Sequence, residues 1–566
     1  MILPKNKLIN LQMRFINNNS LNLARGLFNI FVFDQISNSM RKGFVISAIV
    51  AIMLTVVLSF TASMWWLVAL AFVLFITGMG IHDMTQKKHA IMRTYPVLGR
   101  MRYWMEELRP KMYQYFVESD IDGRPINRID RSTIYQRAKQ QTDTMPFGTQ
   151  LNVYEEGYEW MSHSIAPKDF KTLDHNPRVL IGNKDCTQPY SASIFNVSAM
   201  SFGSLSSNAI EALNAGAKIG GFAHNTGEGG ISPYHLKPGG DIIWQIGTGY
   251  FGCRDEQGNF SPEVFKITVN KPQIKMIELK LSQGAKPGHG GILPAKKNTP
   301  EIAAIRHVVP YTTIFSPPYH SAFHNPKGLI QFIQEMRTLS GGKPTGFKLC
   351  IGKKSEFIGI CKAMVELDIY PDFITVDGGE GGTGAAPQEF SNYVGAPLLD
   401  GLAFVQNMLV GFGIRHHITV IASGKILSGF HLLRAIALGA DTCNSARAMM
   451  MALGCIQALQ CNTNKCPTGV ATQDPELTVG LVVEDKKQRV ANYHEDTVKT
   501  FLELTAAAGL DNYKQLTRSH IYRRVFMNEM RTFEDIYPSL KPGCFVNGEI
   551  PEKYKQDIEA ASADRW

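Results

Sequence analysis

The segment Phe373–Gly384, FITVDGGEGGTG, joins a short apolar run directly to a cluster of glycines. Its first four residues are apolar or β-branched, which is typical of a strand buried inside a parallel sheet. The glycines after Asp377 leave backbone N–H groups accessible to an anion. The segment therefore predicts one unit of a parallel β/α fold, with a binding site at the carboxyl end of the strand.

The same pattern recurs on both sides of this segment, with helical stretches between several strands. Eight strands with intervening helices favour a (β/α)8 TIM barrel over a doubly wound sheet, and place the chemistry at the C-terminal strand ends. The predicted strands are Ile194–Met200, Gly221–Asn225, Ile274–Leu281, Thr312–Ser316, Gly346–Ile351, Phe373–Asp377, Ile418–Ser423 and Thr442–Ala446. The predicted helices are Ser207–Ile219, Pro300–His307, Pro326–Leu339, Glu356–Leu367, Leu398–Gly411 and Gly429–Ala437.

An uncharged run, Gly43–Ile81, precedes the barrel. It is about twice the ~20 residues that cross a bilayer as one helix, so it predicts two antiparallel spans, 44–60 and 64–81, turned at 61–63. Trp65 and Trp66 are expected to be interfacial anchors. A buried helical hairpin of a soluble protein and a cleaved signal peptide are the less favoured alternatives.

The basic residues of the chain are concentrated around this run. The chain has 58 Lys and Arg against 49 Asp and Glu, a net charge of +9. Residues 1–140 contain 18 basic and 8 acidic residues, so residues 141–566 contain 40 basic and 41 acidic residues and are nearly neutral. Nucleic-acid binding by the barrel is therefore not expected. By the positive-inside rule, both flanks of the hairpin face the cytoplasm, which predicts a catalytic domain anchored to a bacterial inner membrane.

The charge and hydropathy patterns divide the chain into five segments. The sequence leaves open whether translation starts at Met1 or at Met40, and it is compatible with a homo-oligomer. The segments are a basic N-terminal tail (1–42), a transmembrane helical hairpin (43–82), a juxtamembrane connector (83–160), the barrel with a cysteine loop (161–475) and a C-terminal helical extension (476–566).

Three of the nine cysteines, Cys455, Cys461 and Cys466, form a C-x5-C-x4-C pattern. The odd total in a cytoplasmic domain argues against a disulfide framework. Zinc would need a fourth ligand at short spacing, and none is present nearby. Three thiolates with a proline after the last one suit a cubane iron–sulfur cluster that lacks one iron.

The last two predicted strands end in polar triplets. Loops after the seventh and eighth strands of TIM barrels recurrently bind phosphate, and these offer glycine backbone, hydroxyl groups and a guanidinium. The phosphate of FMN fits that place. The triplets are Ser423, Gly424, Lys425 and Ser445, Ala446, Arg447.

Six motifs occur here in the order seen in the FMN-binding synthase domain of glutamate synthase. Residues 160–540 resemble that domain, most closely in its stand-alone form. The motifs are MSFGSLS (200–206), HNTGEGG (224–230), LSQGAKPGHGG (281–291), FSPPYH (315–320), DGGEGGTGAAP (377–387) and GCIQALQCNTNKCPTGVATQ (454–473).

The resemblance implies FMN, a [3Fe-4S] cluster on the cysteine triplet, and reduction of 2-iminoglutarate, formed from 2-oxoglutarate and ammonia, to L-glutamate. Residues 1–150 contain no Cys that could act as the glutaminase nucleophile, so glutaminase activity is not expected. No dinucleotide-binding fingerprint is visible, so a nicotinamide site is not expected either. An external donor such as ferredoxin would therefore supply the electrons. Two alternatives remain: an N-alkyl or other α-imino acid substrate, suggested by His289, and a non-catalytic 2-oxoglutarate-binding scaffold.

The resemblance also implies individual roles. Met200, Ser201 and Asn225 would contact the isoalloxazine, with Lys348 placing positive charge beside it. His320 and His324 are expected to be structural rather than proton shuttles. The remaining site residues are Gly381 and Gly382 for the cofactor, Lys280, Lys286 and Gln283 for the substrate carboxylates and imine, and Glu228 for proton handling or loop ordering.

Overall fold

The computed structural model describes residues 40–141 and 144–566 and divides the chain into two compact units. The first unit ends at Ser119, and the second comprises Asp120–Trp566. This boundary lies inside the predicted connector 83–160. Of the predicted basic tail 1–42, residues 1–39 lie outside the described part of the chain.

Two long apolar helices dominate the described part of the first unit, which confirms the predicted helix pair. The helices have mean hydropathies of 2.6 and 1.9, and only 11% of each apolar window is buried. Both are long enough to cross a membrane. The helices are α1 (Met40–Thr61), α2 (Trp66–Thr85), α3 (Ala90–Thr94) and α4 (Gly99–Met112), followed by a π-helical turn, Tyr113–Val117.

Eight parallel strands of the second unit close into a barrel, which confirms the predicted TIM-barrel fold. Each strand pairs with the next along the chain, and the last pairs with the first. Because all eight run in the same direction, their C-terminal ends meet at one end of the barrel. The strands are β1 (Phe195–Val197), β2 (His224–Asn225), β3 (Ile242–Ile246), β4 (Ile274–Lys280), β5 (Thr345–Leu349), β6 (Phe373–Asp377), β7 (Thr419–Ser423) and β8 (Thr442–Ser445).

One predicted strand lies outside the barrel, and one barrel strand was missed. Only Ile314–Phe315 of the predicted strand Thr312–Ser316 is extended, and it pairs with Ile292–Leu293 in a separate hairpin. Its Phe315 is 68% exposed, whereas every residue of β3 is buried. A barrel strand is covered on both faces, so the continuous run of β3 between two glycines was the better candidate.

The helices around the barrel confirm the predicted β/α alternation, and three of them have the predicted bounds. Helices α10, α13 and α14 begin and end where the sequence pattern placed them. In the described part of the second unit the helices are α5 (Arg128–Ala138), α6 (Ser207–Gly220), α7 (Pro233–Leu236), α8 (Pro262–Val269), α9 (Pro300–Arg306), α10 (Pro326–Leu339), α11 (Lys354–Leu367), α12 (Gln388–Tyr393), α13 (Leu398–Gly411), α14 (Gly429–Ala437), α15 (Arg447–Ala452), α16 (Pro475–Thr478), α17 (Val483–Ala507), α18 (Phe533–Ile536) and α19 (Glu552–Ala560).

The C-terminal extension contains strands as well as helices. The segment Ile521–Phe526, which contains Arg523 and Arg524, is the central strand of a small antiparallel sheet. Arg523 of this strand lies 2.6 Å from Glu159 on the neighbouring strand, and Arg434 of α14 lies at the same distance from that carboxylate. The additional strands are Glu159–Met161, Ile521–Phe526 and Glu529–Thr532 in one sheet, and the pair Arg178–Ile181 and Tyr190–Ser193.

Candidate active site

A cavity of about 1660 Å³ lies at the C-terminal ends of the barrel strands. Its walls come from the loops after the strands, from the cysteine loop after α15, and from residues 121–130 before α5. All of the predicted site residues line it except Asn225. They are Met200, Ser201, Glu228, Lys280, Gln283, Lys286, Lys348, Gly381, Gly382, Ser423, Gly424, Lys425, Ser445, Ala446, Arg447, Cys455, Cys461 and Cys466.

The loops after β7 and β8 form a cationic end of the cavity. Gly424 and Lys425 both have positive φ, 136° and 48°, so the chain turns sharply after β7. A left-handed conformation is rare for lysine. Burial and the nearby Arg447 lower the pKa of Lys425. No ion pair or hydrogen bond of its ammonium group is present among the described residues, so the charge is available to a ligand.

The glycine-rich loop after β6 packs against Arg447. The Arg447 guanidinium donates a hydrogen bond to the backbone oxygen of Glu380. A Cβ on Gly382 would come within 2.8 Å of the Arg447 side chain, and one on Gly381 within 3.0 Å of the Gly378 oxygen. Gly382 therefore leaves the space that the arginine needs to reach the cavity, and Gly381 avoids a close contact within its own loop.

A buried ion pair joins the loop after β2 to the end of β4. Lys280 Nζ lies 2.8 Å from Glu228 Oε2 and donates a second hydrogen bond, of 3.3 Å, to Gln283 Oε1. Burial raises the pKa of Glu228, but the opposing charge of Lys280 prevails and holds that pKa below its usual range. The structure thus brings together three of the four residues expected to handle the substrate.

The fourth residue, Lys286, contacts a different wall of the same cavity. Its ammonium donates a 2.9 Å hydrogen bond to the backbone oxygen of Ala385, in the loop after β6. Burial, with a smaller contribution from the charge of Lys280, lowers the pKa of Lys286 to about 8. An ammonium that is buried but lacks a carboxylate in direct contact is well suited to pair with an anionic ligand.

Lys348 occupies the barrel mouth beside the loop after β6. Its Nζ lies 3.3 Å from Asp377 Oδ2, and the same carboxylate oxygen accepts a 2.9 Å hydrogen bond from Gly284 N. Burial lowers the pKa of Lys348, but Asp377 and Glu278 outweigh that effect and raise it. The group therefore stays cationic at the centre of the cavity floor.

Asn225 differs from the other predicted site residues because it does not line the cavity. Its side-chain amide donates a 2.7 Å hydrogen bond to Glu278 Oε1 and accepts one from Gly227 N. Gln245 and Thr375 donate to the same buried carboxylate, each at 2.6 Å. Asn225 thus belongs to a polar layer below the cavity, and a direct contact with a cofactor is not supported.

The three cysteines share one wall of the cavity. Cys466 is almost completely buried, and its pKa is lowered, since hydrogen bonds from Thr468, Val470 and Ala471 outweigh the effect of burial. Among the described residues, no group of three possible ligands is close enough to hold a single metal ion. In a cubane cluster each thiolate binds a different iron, so the thiols need not be that close, and hydrogen bonds to sulfur are typical.

Two features of this wall were not predicted. Lys297 donates hydrogen bonds to Ser204 O, at 2.9 Å, and Ala471 O, at 2.8 Å, and burial lowers its pKa to about 8. Helix α5 belongs to the second unit, and Tyr135 on it donates a 2.7 Å hydrogen bond to Cys455 O. A lysine in a Pro-rich loop and a short polar helix have no spacing that marks them as parts of a site.

His320 is held by two hydrogen bonds, and His289 lies outside the cavity wall. His320 accepts a 3.1 Å hydrogen bond from Tyr250 OH through Nδ1 and donates one of 2.9 Å from Nε2 to Lys280 O. Burial lowers the pKa of His320 to about 4, so it is neutral at physiological pH. His289 does not line the cavity and packs edge-to-face against Phe390. It therefore does not favour a changed substrate.

Comparison with known proteins places the chain in a family. Residues 128–511 match a model described as a conserved region in glutamate synthase. The flavin-binding domain of baker's yeast flavocytochrome b2 aligns with 78% of this chain and 87% of its own, at 10% identity and a TM-score of 0.38. The archaeal glutamate synthase (NADPH) of Methanocaldococcus jannaschii is 36% identical over 56% of this chain and 60% of its own length.

A second relative matches over almost its whole length. The glutamate synthase large subunit-like protein YerD of Bacillus subtilis is 38% identical over 509 residues, which is 83% of this chain and 96% of that protein. The chain therefore belongs to the glutamate synthase family of oxidoreductases.

Proposed function

We propose that this protein reduces 2-iminoglutarate, formed from 2-oxoglutarate and ammonia, to L-glutamate, using FMN, a [3Fe-4S] cluster and electrons from an external donor such as ferredoxin. One observation carries the proposal: a single cavity is lined by the loops after β7 and β8, by the Lys280–Glu228 pair and Lys286, and by the three cysteines. An anaerobic assay of the reduced protein with 2-oxoglutarate and ammonia tests it. Failure to form glutamate would refute it.

The residues present fit both cofactors. A phosphate monoester would be held by the backbone and side chains of Ser423–Lys425 and Ser445–Arg447, and the cationic Lys348 would lie near the flavin ring. The cysteine loop offers three thiol ligands, each of which has a backbone hydrogen bond. FMN would supply hydride chemistry, and the cluster would supply one-electron transfer.

The side chains of this protein would bind the substrate and position its protons. Lys280 and Lys286 are buried ammonium groups on two walls of the cavity, and a dicarboxylate needs two cationic contacts. Gln283 adds a neutral partner beside Lys280. Glu228, kept ionised by Lys280, is placed to hold a proton near the imine. The Lys280 and Glu228 side chains are largely buried, which strengthens these interactions.

Lys286 is expected to make substrate binding depend on pH. Because its pKa is lowered to about 8, the ammonium loses its charge as the pH rises through that value, and the KM for 2-oxoglutarate should increase. Between about pH 8 and pH 10.5, Lys286 binds more protons in the unfolded chain than in the folded protein. Its contribution to the free energy of unfolding therefore rises with pH in that range. A Lys286→Ala variant should show a KM roughly tenfold higher, with little dependence on pH. An unchanged pH profile in this variant would contradict the assignment.

Lys425 is expected to select for the cofactor phosphate, because it lines the cavity and its ammonium group has no ion pair or hydrogen bond among the described residues. The glutamate synthases that this chain resembles commonly have glycine at this position. A Lys425→Gly variant also relieves the positive φ, so any loss of affinity reports the charge rather than strain. We expect the apoprotein variant to bind FMN roughly tenfold more weakly, while riboflavin affinity is unchanged. Fluorescence titration with both ligands measures this. Equal losses for FMN and riboflavin would show that Lys425 shapes the pocket instead.

We also propose that α1 and α2 anchor the enzyme to a bacterial inner membrane, with the barrel in the cytoplasm. Their length and exposed apolar surface support this.

The same anaerobic assay with alkylamines in place of ammonia tests the alternative α-imino acid substrate. Flavin reoxidation by 2-oxoglutarate plus ammonia would exclude a non-catalytic scaffold.

A further inference from the structure

Helix α4 exposes a continuous apolar stripe. Met101, Trp104, Met105, Leu108 and Met112 are 57, 75, 57, 42 and 45% exposed. At ~100° per residue, these five positions fall on one side of the helix. Charged residues share the remainder of its surface with Tyr103 and Pro110, and Arg102 pairs with Glu106 at 2.6 Å on the opposite face. A helix with this pattern normally covers its apolar stripe with another apolar phase.

The beginning of α4 is fixed to the end of α2. The side chain of Asp83, in the last turn of α2, is completely buried and lies 2.6 Å from Arg100 Nη2. A second Asp83 oxygen accepts a 3.0 Å hydrogen bond from Val97 N. This carboxylate therefore holds the first turn of α4 at the end of a helix long enough to span a bilayer.

The segment around α4 is strongly basic. Residues 86–112 contain seven lysines and arginines against Glu106 and Glu107, a net charge of +5. Basic side chains beside a membrane span attract anionic lipid headgroups, at about 1 kcal/mol each near the surface. The apolar stripe also carries Trp104, a residue type enriched at the membrane interface.

We propose that α4 lies in the surface of an anionic bilayer, with its apolar stripe in the acyl boundary and its charged faces among the headgroups. This rests on the proposed membrane attachment through α1 and α2. A second copy of the chain, or an apolar partner protein, would instead cover the stripe without exposing it to lipid.

Quenching by brominated lipids tests this, because bromine quenches only tryptophans that reach the acyl region. The full-length protein is reconstituted in vesicles of brominated phosphatidylcholine, with and without phosphatidylglycerol. The chain has six tryptophans. If Trp104 is in lipid, Trp104→Phe should lower the quenched fraction of the emission. As the matched control, Trp566→Phe in the second unit should raise it.

The signs of these changes decide the outcome. A quenched fraction that stays constant or rises in Trp104→Phe would overturn the proposal and favour a protein partner. A contribution of Trp104 that does not increase with phosphatidylglycerol would overturn the preference for anionic lipid. The variant Trp65→Phe/Trp66→Phe reports on the hairpin separately: if its quenched fraction does not fall, the proposed membrane attachment itself has failed. Circular dichroism confirms that each variant is folded.

Discussion

Cys466→Ala is expected to abolish incorporation of the iron–sulfur cluster while FMN still binds. The cysteine loop offers three sulfur ligands, and Cys466 is the one whose pKa is lowered, by hydrogen bonds from the Thr468 hydroxyl and from neighbouring backbone N–H groups. Without it, one iron would have no protein ligand. Turnover supported by a one-electron donor should fall to background. Iron and acid-labile sulfide content, together with the EPR signal of the oxidised protein, measure the effect.

The control is Cys443→Ala. Cys443 is completely buried in β8 and does not line the cavity, so its loss should leave the iron content unchanged. Helix α15 and the barrel should remain folded in both variants, which the flavin absorbance reports. If Cys466→Ala kept a full complement of iron, or if Cys443→Ala lost as much, the cluster would not be bound where we propose.

Lys280→Met is expected to damage both stability and turnover. The substitution leaves the Glu228 carboxylate buried without its partner, which typically costs about 3 kcal/mol. In the wild type, the pKa of Glu228 is lower in the folded protein than in the unfolded chain, where it is near 4.5. The stability that this difference contributes is present above pH 4.5 and is lost as the pH falls through the pKa of the folded state. Without Lys280 burial prevails and raises this pKa, so stability should instead decline as pH rises. Loss of one preorganised charge should lower kcat/KM roughly 100-fold.

The double variant Lys280→Met/Glu228→Gln separates the two effects. It removes both charges, so the stability lost in Lys280→Met should largely return. Turnover should not return, because one of the two cations for the substrate and the carboxylate for its proton are both absent. Thermal unfolding and steady-state kinetics of the wild type and the two variants measure this. Recovery of turnover in the double variant would mean that the ion pair only shapes the loop.

The barrel and most of its site could be predicted because the relevant signals are local. In Phe373–Gly384 and Ser423–Lys425, a strand pattern and a binding turn are adjacent in the chain, and a parallel barrel brings all such turns to one end. Strand β3 was missed and Thr312–Ser316 was chosen instead, because burial on both faces is a tertiary property that a five-residue run of mainly apolar or β-branched residues does not reveal.

Residues whose roles depend on distant contacts could not be predicted. Asn225 is adjacent to a recognisable glycine turn, but Glu278 on another strand determines which way its amide faces. Lys297 owes its place to two backbone oxygens separated from it by 93 and 174 residues. Helix α5 reads as part of a connector until its contact with the cysteine loop is known.

The carboxylate of Glu278 has a consequence for how the barrel assembles. It accepts hydrogen bonds from β2, β3 and β6 and lies on β4, so four strands depend on one another's alignment. Sliding any of these strands by one residue would turn its donor away and leave a desolvated charge. Misaligned closed barrels are thus penalised during folding. We therefore infer that Glu278 fixes the register of these strands and favours the native alignment over other compact arrangements of the same apolar strands.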